Sequence, residues 1–459
     1  MKKQNQTSRE KFSSRLGFIL ISAGCAIGLG NVYRFPIITG AYGGAIFVLI
    51  YIAFLLLLGL PVMTCELSVG RGSQRSIAKS FDVLEPKGSK WHFMKYLGIG
   101  GNYLLMMCYT VITGFMMIYF VKYLTGSIMN IASPIEMSEE FLGVVTNPWI
   151  TMVGTYIAVI IGLLVCSLGL KNGVERITKV MMVALFALML GLVVYSLTLS
   201  GAGRGLKFYL VPSVANIEHA GLAKVITSAM GQAFFTLSLG IGSIAIFGSY
   251  ISKERSLLGE SVTIISLDTA VALMSGLIIF PAYFTYNTEM IEGEGGASFL
   301  FTTLTSIFNN MNGGRIVGTL FFLFMVFAAM STVIAVFENI MAFWLENTKL
   351  SRPAVAAINV GLMLVLTLPA IFANSLLADV KIFGMALDTL EDFLVSNVAL
   401  PIGSLVYVLF CTTKYGWGWK NYTDEVNAGT GARLPKWMRG YMSFVLPLII
   451  IVVLVLQLI

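Results

Sequence analysis

Asn31 and Arg34 interrupt a stretch that is otherwise apolar, residues 16–36 (LGFILISAGCAIGLGNVYRFP), in which Gly24, Gly28 and Gly30 fall near the middle. Glycine weakens a helix and lets backbone groups face a cavity, which at membrane depth is tolerated only where protein or water covers them. Carbonyls freed at such a break can hold a cation. The amides that begin the next half-helix, at Leu29 and Gly30, can receive a carboxylate, because a helix start is electropositive. A second stretch, residues 231–242 (GQAFFTLSLGIG), again sets glycines among polar groups: Gln232, Thr236 and Ser238.

Ionisable residues inside apolar segments must be paired or line a polar path. Besides Arg34 these are Glu66, Asp268, Glu338, Asp388, Glu391 and Asp392. Arg34 can pair with an acid of the segment 381–412, as a gate or as a static bridge between helices. Ser331 and Thr332 offer hydroxyls suited to a hard cation, although such hydroxyls also bond their own helix carbonyls. Enzyme chemistry has little to work with. No nucleophile stands beside a base, and His92 and His219 lack HExxH or CxxC spacing. Cys25 has no histidine near it in sequence and reads as a small packing residue.

The elements that must position these groups follow from composition. Of 459 residues, 57% are hydrophobic and 12% charged, with mean hydropathy +0.85. This is a polytopic membrane protein, all-α, read as one domain over residues 1–459. About 20 apolar residues per span give eleven spans: 16–37, 43–70, 94–125, 149–167, 174–200, 223–248, 257–286, 315–345, 353–372, 381–412 and 437–458. With the N-terminus cytoplasmic, 23 of the 30 Lys and Arg fall on inner segments. The outer ones are Lys122, Arg204, Lys207, Lys224, Arg315 and Lys381, and Arg34 belongs to its span. Positive-inside bias thus accounts for the net charge of +7 and places the C-terminus outside. Nucleic acid is set aside, because no basic cluster is interleaved with aromatics. The first apolar run is too long for a signal peptide and is expected to remain as span one, in the cell (inner) membrane. The five cysteines lie within or at the ends of apolar segments, so no disulfide framework is implied. In the outer loop 287–314, GEGGASFLFTTLTSIF suggests a short helix over the mouth of the bundle, and 413–436 reads as a linker with interfacial aromatics.

The two interrupted spans lie five spans apart. That pattern implies an inverted repeat, residues 16–200 and 223–412, followed by a further helix at 437–458, with a substrate site at the repeat interface. A channel of the same topology and a transport-inactive substrate sensor are the rival readings. Nothing calls for an organic cofactor, and the sequence leaves a homo-oligomer open.

At these residues the sequence resembles the neurotransmitter:sodium symporter family, in the bacterial amino-acid transporter branch that shares the leucine-transporter fold. The resemblance spans nearly the whole chain. It rests on RLGFILISAGCAIGLGNVYRFP, GLPVMTCELSVGRG around Glu66, GQAFFTLSLGIG, and FAAMST in span eight. It implies sodium-coupled import by alternating access, of an amino acid or another small amine or solute. One sodium would sit among the Ala26 carbonyl, Asn31, Thr236, Asp268 and the substrate carboxylate. A second would sit among the carbonyls of Gly24, Ile27 and Ala328 and the hydroxyls of Ser331 and Thr332. The substrate carboxylate would meet Leu29, Gly30 and the Tyr109 hydroxyl, and its amine Ala26, Phe235, Thr236 and Ser238. Leu105, Ile112, Phe235, Ser238, Ile241 and Val336 would line the side-chain space. The resemblance further implies an outer gate of Arg34 and Glu391 over Tyr109 and Phe235, with Gln232 beside it. Asp388 and Asp392 are alternatives to Glu391. Arg9 with Glu346, and Phe12 with Tyr250, would form the inner gate, and Glu66 would brace the break in span six.

The sequence departs from the family pattern at four points. Asp268 stands where the leucine transporter has asparagine, and Ala272, one turn on, lacks the charge found there. Together these predict chloride-independent transport, since a carboxylate already supplies the anion. Val183 replaces a common proline, which puts local unwinding of span five in doubt. Ile241 replaces a common aromatic, which favours bulky apolar or aromatic amino acids. There is no twelfth span, as in some bacterial members.

Overall fold

The computed structural model describes residues 12–131, 133–213, 221–286 and 297–458. Among these residues nine helices are long and apolar enough to cross a membrane: Ala45–Ser73, Trp91–Thr125, Pro148–Ser167, Leu170–Leu197, Leu257–Tyr286, Gly314–Asn347, Arg352–Phe372, Leu387–Thr412 and Met438–Leu458. A tenth span is the bent pair Arg15–Ala26 and Gly30–Ala41, whose halves meet at 53°. The sixth span, expected to be interrupted, is a helix, Leu222–Thr236, an irregular segment, and a single turn, Ala245–Gly248. Counting it, the elements run in the expected order and are numbered spans 1 to 11 below.

Apolar runs of this length close into helices because hydrocarbon offers no partner to a backbone N–H or C=O. The exceptions are the two glycine-bearing breaks. In span 1 the helix stops at Ile27, whose backbone is extended (φ −72°, ψ 94°), and restarts as a wide turn in which the Phe35 amide bonds the Gly30 carbonyl. In span 6, Ser238, Gly240 and Gly242 all take positive φ, at 49°, 96° and 79°. Gly240 is required twice over. Its φ suits only glycine well, and a Cβ there would lie 2.2 Å from the Leu400 carbonyl oxygen and 2.7 Å from the Ser404 nitrogen of span 10.

Span 8 is the axis of the bundle: 78% of its most apolar stretch is buried, and it packs on spans 1, 3, 4 and 5. Spans 5 and 11, at 28%, lie on the periphery. Span 5 runs as an uninterrupted α-helix from Arg176 to Leu197, with Val183 on its exposed face. Proline is absent there, and the helix is unbroken.

Of two connecting segments, the outer loop takes the short helix expected of it and the linker 413–436 is more ordered than its composition suggested. The loop helix Phe299–Asn309 stacks Phe301 on Phe141 of the helix Pro134–Val145, with ring centroids 5.1 Å apart; residues 287–296 of this loop lie outside the described residues. In the linker, the helix Trp419–Val426 docks on the end of span 2 through the fully buried Arg71, whose Nε donates to Glu425 Oε1 at 2.6 Å and whose Nη1 donates to the Arg255 carbonyl at 2.7 Å. Nearby on the surface, Asp82, Glu85 and His92 bring ligand-type atoms within 4.8 Å of one another. His92 Nδ1 is spent on Glu85 Oε1 at 2.7 Å, and although burial acts upward, hydrogen bonds from Ser89 and His92 hold the Glu85 carboxyl below its usual range.

Candidate functional site

The two breaks face each other, and the polar groups of spans 1, 6 and 7 meet between them. Asn31 Nδ2 donates to Asp268 Oδ1 at 2.8 Å and to the Asp268 carbonyl at 2.9 Å. Its Oδ1 accepts from the Gly28 amide at 3.2 Å. Thr236 Oγ1 stands 3.4 Å from both carboxylate oxygens of Asp268. Gln232 Nε2 reaches the Gly30 carbonyl at 2.7 Å, and Ser275 Oγ, one turn beyond Ala272 and not singled out in the sequence, reaches the Asn31 carbonyl at 2.8 Å. Asp268 is fully buried, and none of the ion pairs among the described residues involves it. A buried carboxylate left in this way is costly unless a cation joins it.

Glu66, equally buried, is satisfied differently. It accepts the amides of Gly240 at 2.9 Å, Ile244 at 3.1 Å and Ala245 at 3.4 Å, which are the backbone donors that the break in span 6 frees. Its charge is met by the break itself, whereas Asp268 meets side-chain amide and hydroxyl groups and no basic group among the described residues.

A second group of oxygens lies between spans 1 and 8. Ser331 Oγ is 3.2 Å from the Ile27 carbonyl and 2.8 Å from that of Ala328; Thr332 Oγ1 is 3.3 Å from the carbonyls of Gly24 and Cys25 and 3.5 Å from that of Ile27. Oxygen-only donors without a formal charge match a hard monovalent cation better than a soft or divalent one. The five groups expected from the sequence are together, and Cys25 adds its carbonyl.

Beside these clusters lies a small cavity lined by Ala26, Gly28, Gly30, Leu105, Tyr109, Phe235, Thr236, Ser238, Thr332 and Leu400. The Leu29 amide donates to the Tyr109 hydroxyl at 2.8 Å across it. Ile112, Ile241 and Val336, expected among the lining residues, are not there. Ile241 turns towards Gly101 of span 3, where a Cβ would sit 2.6 Å from its Cγ2, and its carbonyl accepts from Asn102 Nδ2 at 2.7 Å. In an irregular segment no helical period sets side-chain direction, so the register of the break decides. Leu400 was missed because it opens a regular apolar helix and carries no polar signal.

Over the cavity the Arg34 guanidinium lies on the Phe235 ring at 4.4 Å. The acid that approaches it is Asp392, not Glu391: Arg34 Nη1 is 4.0 Å from Asp392 Oδ1 and 3.2 Å from Ser396 Oγ, which itself donates to Asp392 at 3.0 Å. The reason is helical geometry. Asp392 and Ser396, four residues apart, share a face, whereas Glu391 is turned about 100° away. Glu391 is buried, and Asp388 is occupied with Asn374 at 3.0 Å.

At the opposite end of the bundle Phe12 meets Tyr250 edge-on, centroids 5.6 Å apart, and Tyr250 Oη donates to Glu338 at 2.9 Å. Glu338 also pairs with Arg352, a link the sequence did not signal. Arg9 lies outside the described residues. Glu346, its expected partner, accepts the Ser76 amide at 2.8 Å.

Comparison with known proteins agrees with this geometry. The family model described as the sodium:neurotransmitter symporter family matches residues 9–133 and 130–459. An uncharacterized sodium-dependent transporter of Bacillus subtilis, YhdH, is 32% identical over 445 residues, covering 96% of each chain. An uncharacterized sodium-dependent transporter of Haemophilus influenzae is 29% identical over 460 residues and 98% of each chain. The crystal structure of MhsT in complex with L-phenylalanine superposes with a TM-score of 0.86 at 33% identity, over 97% of this chain and 99% of that one. Broken helices, buried oxygen clusters and full-length matches converge: the chain belongs to the sodium:neurotransmitter symporter family, and is a multi-pass sodium-dependent symporter and not an enzyme.

Proposed function

We propose that this chain imports amino acids with bulky apolar or aromatic side chains, coupled to two sodium ions and independent of chloride. The observation that carries this reading is the buried Asp268 carboxylate, held by Asn31 and Thr236 with no basic partner, beside a cavity lined by the same Thr236. Sodium at Asp268 completes the charge, and the substrate carboxylate completes the sodium shell. That carboxylate is received by the Leu29 and Gly30 amides and the Tyr109 hydroxyl, and the ammonium by Ala26, Phe235, Thr236 and Ser238. The second ion takes the oxygens of Gly24, Ile27, Ala328, Ser331 and Thr332. The preference for apolar side chains is supported by Leu105, Phe235 and Leu400 on the cavity wall, and that for bulky ones by the L-phenylalanine found in complex with MhsT.

In this reading the N-terminus is cytoplasmic and the C-terminus outside, and the halves 16–200 and 223–412 form the repeat around the site. Arg34 with Asp392 closes the outer side, and Phe12 with Tyr250 the inner. A membrane potential supplies about 2.3 kcal/mol per charge per 100 mV, so two ions supply roughly 4.6 kcal/mol for a neutral zwitterion. That corresponds to about three decades of accumulation.

Chloride independence rests on Asp268 and on Ala272, buried and uncharged one turn away. Replacing chloride by gluconate on both sides of proteoliposomes is expected to leave the initial rate of sodium-driven L-phenylalanine uptake within about twofold. A fall below one fifth contradicts the assignment of Asp268 as the resident anion.

A further inference from the structure

Two helical turns before Tyr109 on span 3 stands Asn102, a fully buried amide that belongs to neither oxygen cluster. Its Nδ2 donates to the Gly98 carbonyl of its own helix and to the Ile241 carbonyl in the break of span 6, both at 2.7 Å. Its Oδ1 accepts from Ser243 Oγ of the same break and from Asn339 Nδ2 of span 8, both at 3.2 Å. Two donations and two acceptances use the whole capacity of an asparagine side chain. Close approach makes them possible. A Cβ at Gly98 would lie 3.2 Å from the Ile241 carbonyl oxygen, and one at Gly101 would lie 2.6 Å from Ile241 Cγ2. Ser243 and Asn339 are fully buried as well.

The same spacing recurs on span 8. Thr332, which reaches the carbonyls of the break in span 1, and Asn339 are seven residues apart, as are Tyr109, which accepts the Leu29 amide, and Asn102. Seven residues are about two turns, or roughly 10 Å along a helix. Spans 3 and 8 thus each engage the break in span 1 with a hydroxyl and, two turns away, meet in a hub that engages the break in span 6. In the orientation proposed above, span 3 starts and span 8 ends at the cytoplasm, so the hub lies on the cytoplasmic side of the central cavity.

We propose that Asn102 is a positioning residue for transport: it holds residues 241–243 against spans 3 and 8 to close the central site towards the cytoplasm, and its release opens that path. The proposal rests on the orientation and the inner exit read above. Solvation supplies the physical reason. Closed, the hub is dry and its groups bond one another; separated, the amides, the hydroxyl and the carbonyl each need water. The closed state already carries one orphan, Asn339 Oδ1, which is buried with no hydrogen-bond partner among the described residues. Water that enters on opening satisfies it. Removing the Asn102 amide strands the Ile241 carbonyl, the Ser243 hydroxyl and the Asn339 amide in the closed state and strands nothing in the wet, open one. The balance therefore moves towards the open state.

Cys25 reports the opening, because its Sγ lies 3.9 Å from the Ser243 carbonyl and all five native cysteines are buried. A membrane-impermeant methanethiosulfonate is applied to inside-out and to right-side-out membrane vesicles in sodium-free potassium buffer, and modification is read at each cysteine by mass spectrometry. In inside-out vesicles Asn102→Ala is expected to speed modification of Cys25 at least tenfold, with Cys65, Cys166 and Cys411 still protected. Ser243→Ala, which removes one side-chain hydrogen bond, is expected to speed it at least threefold. Asn359→Ala is the control for loss of a buried amide: Asn359 is equally buried, but its hydrogen bonds go to Tyr103 of span 3 and Val355 of span 9. That variant is expected to stay within twofold of the native chain. Modification of Cys25 that is unchanged in Asn102→Ala or in Ser243→Ala, or that rises as much in Asn359→Ala, overturns the role of Asn102. Reaction of all five cysteines in Asn102→Ala marks an unfolded chain, and Ser243→Ala then decides. A rise confined to right-side-out vesicles instead overturns the orientation, so the two failures are distinguishable.

Discussion

Asp268→Asn is expected to raise the sodium concentration for half-maximal uptake at least tenfold, and to abolish uptake at ordinary sodium concentrations. The carboxylate is fully buried, and Asn31 and Thr236 already spend their polar groups on it. Two unit charges 4 Å apart interact by about 4 kcal/mol at an effective dielectric of 20, and the amide keeps only the dipolar part of that attraction. A tenfold loss of affinity is about 1.4 kcal/mol, well inside this range. The amide retains an oxygen able to face sodium, so raising external sodium is expected to restore part of the rate. Measuring initial uptake against sodium concentration separates this outcome from misfolding, which no sodium concentration repairs. An unchanged sodium dependence contradicts the placement of an ion at Asp268.

Gly28→Ala is expected to reduce uptake more than tenfold through crowding alone. A Cβ at this position would lie 2.3 Å from Thr332 Oγ1 and 2.3 Å from the Tyr109 hydroxyl. The first hydroxyl belongs to the cluster between spans 1 and 8, and the second bonds the Leu29 amide. One methyl group therefore displaces a proposed ion ligand and a proposed substrate ligand together. Gly191→Ala on span 5, where a Cβ meets nothing within 4 Å, is the matched control and is expected to retain full uptake. Equal uptake by the two variants means that the break in span 1 is not the site.

Why these positions were legible in the sequence follows from their surroundings. In a membrane helix an asparagine or a carboxylate is costly, and glycines set among polar groups break the helical pattern, so Gly28, Asn31, Asp268 and the stretch 231–242 announced themselves. The oxygens of Ser331 and Thr332 were legible only through the resemblance, because hydroxyls so often bond their own helix. The gate acid was not legible in the same way. Asp388, Glu391 and Asp392 lie within two helical turns, and one residue of rotation decides which faces Arg34. Nor was the cavity wall: Ile241 lies where the backbone is irregular and points away, whereas Leu400 faces the site from a helix with no polar mark. Order in the segment 413–436 was hidden for a different reason. Arg71 reads as an ordinary positive-inside charge at a helix end, and only the docked helix Trp419–Val426 makes it a buried anchor.

The most direct test of sodium-coupled amino-acid import at this site is radiolabelled L-phenylalanine uptake into proteoliposomes, under an inward sodium gradient and under a matched potassium gradient. Accumulation above equilibration with sodium, none with potassium, competition by unlabelled leucine, tyrosine or tryptophan, and loss of uptake in Asn31→Ala are the predicted results. Uptake of equal size under both gradients, or sodium-driven accumulation that Asn31→Ala leaves intact, contradicts the account.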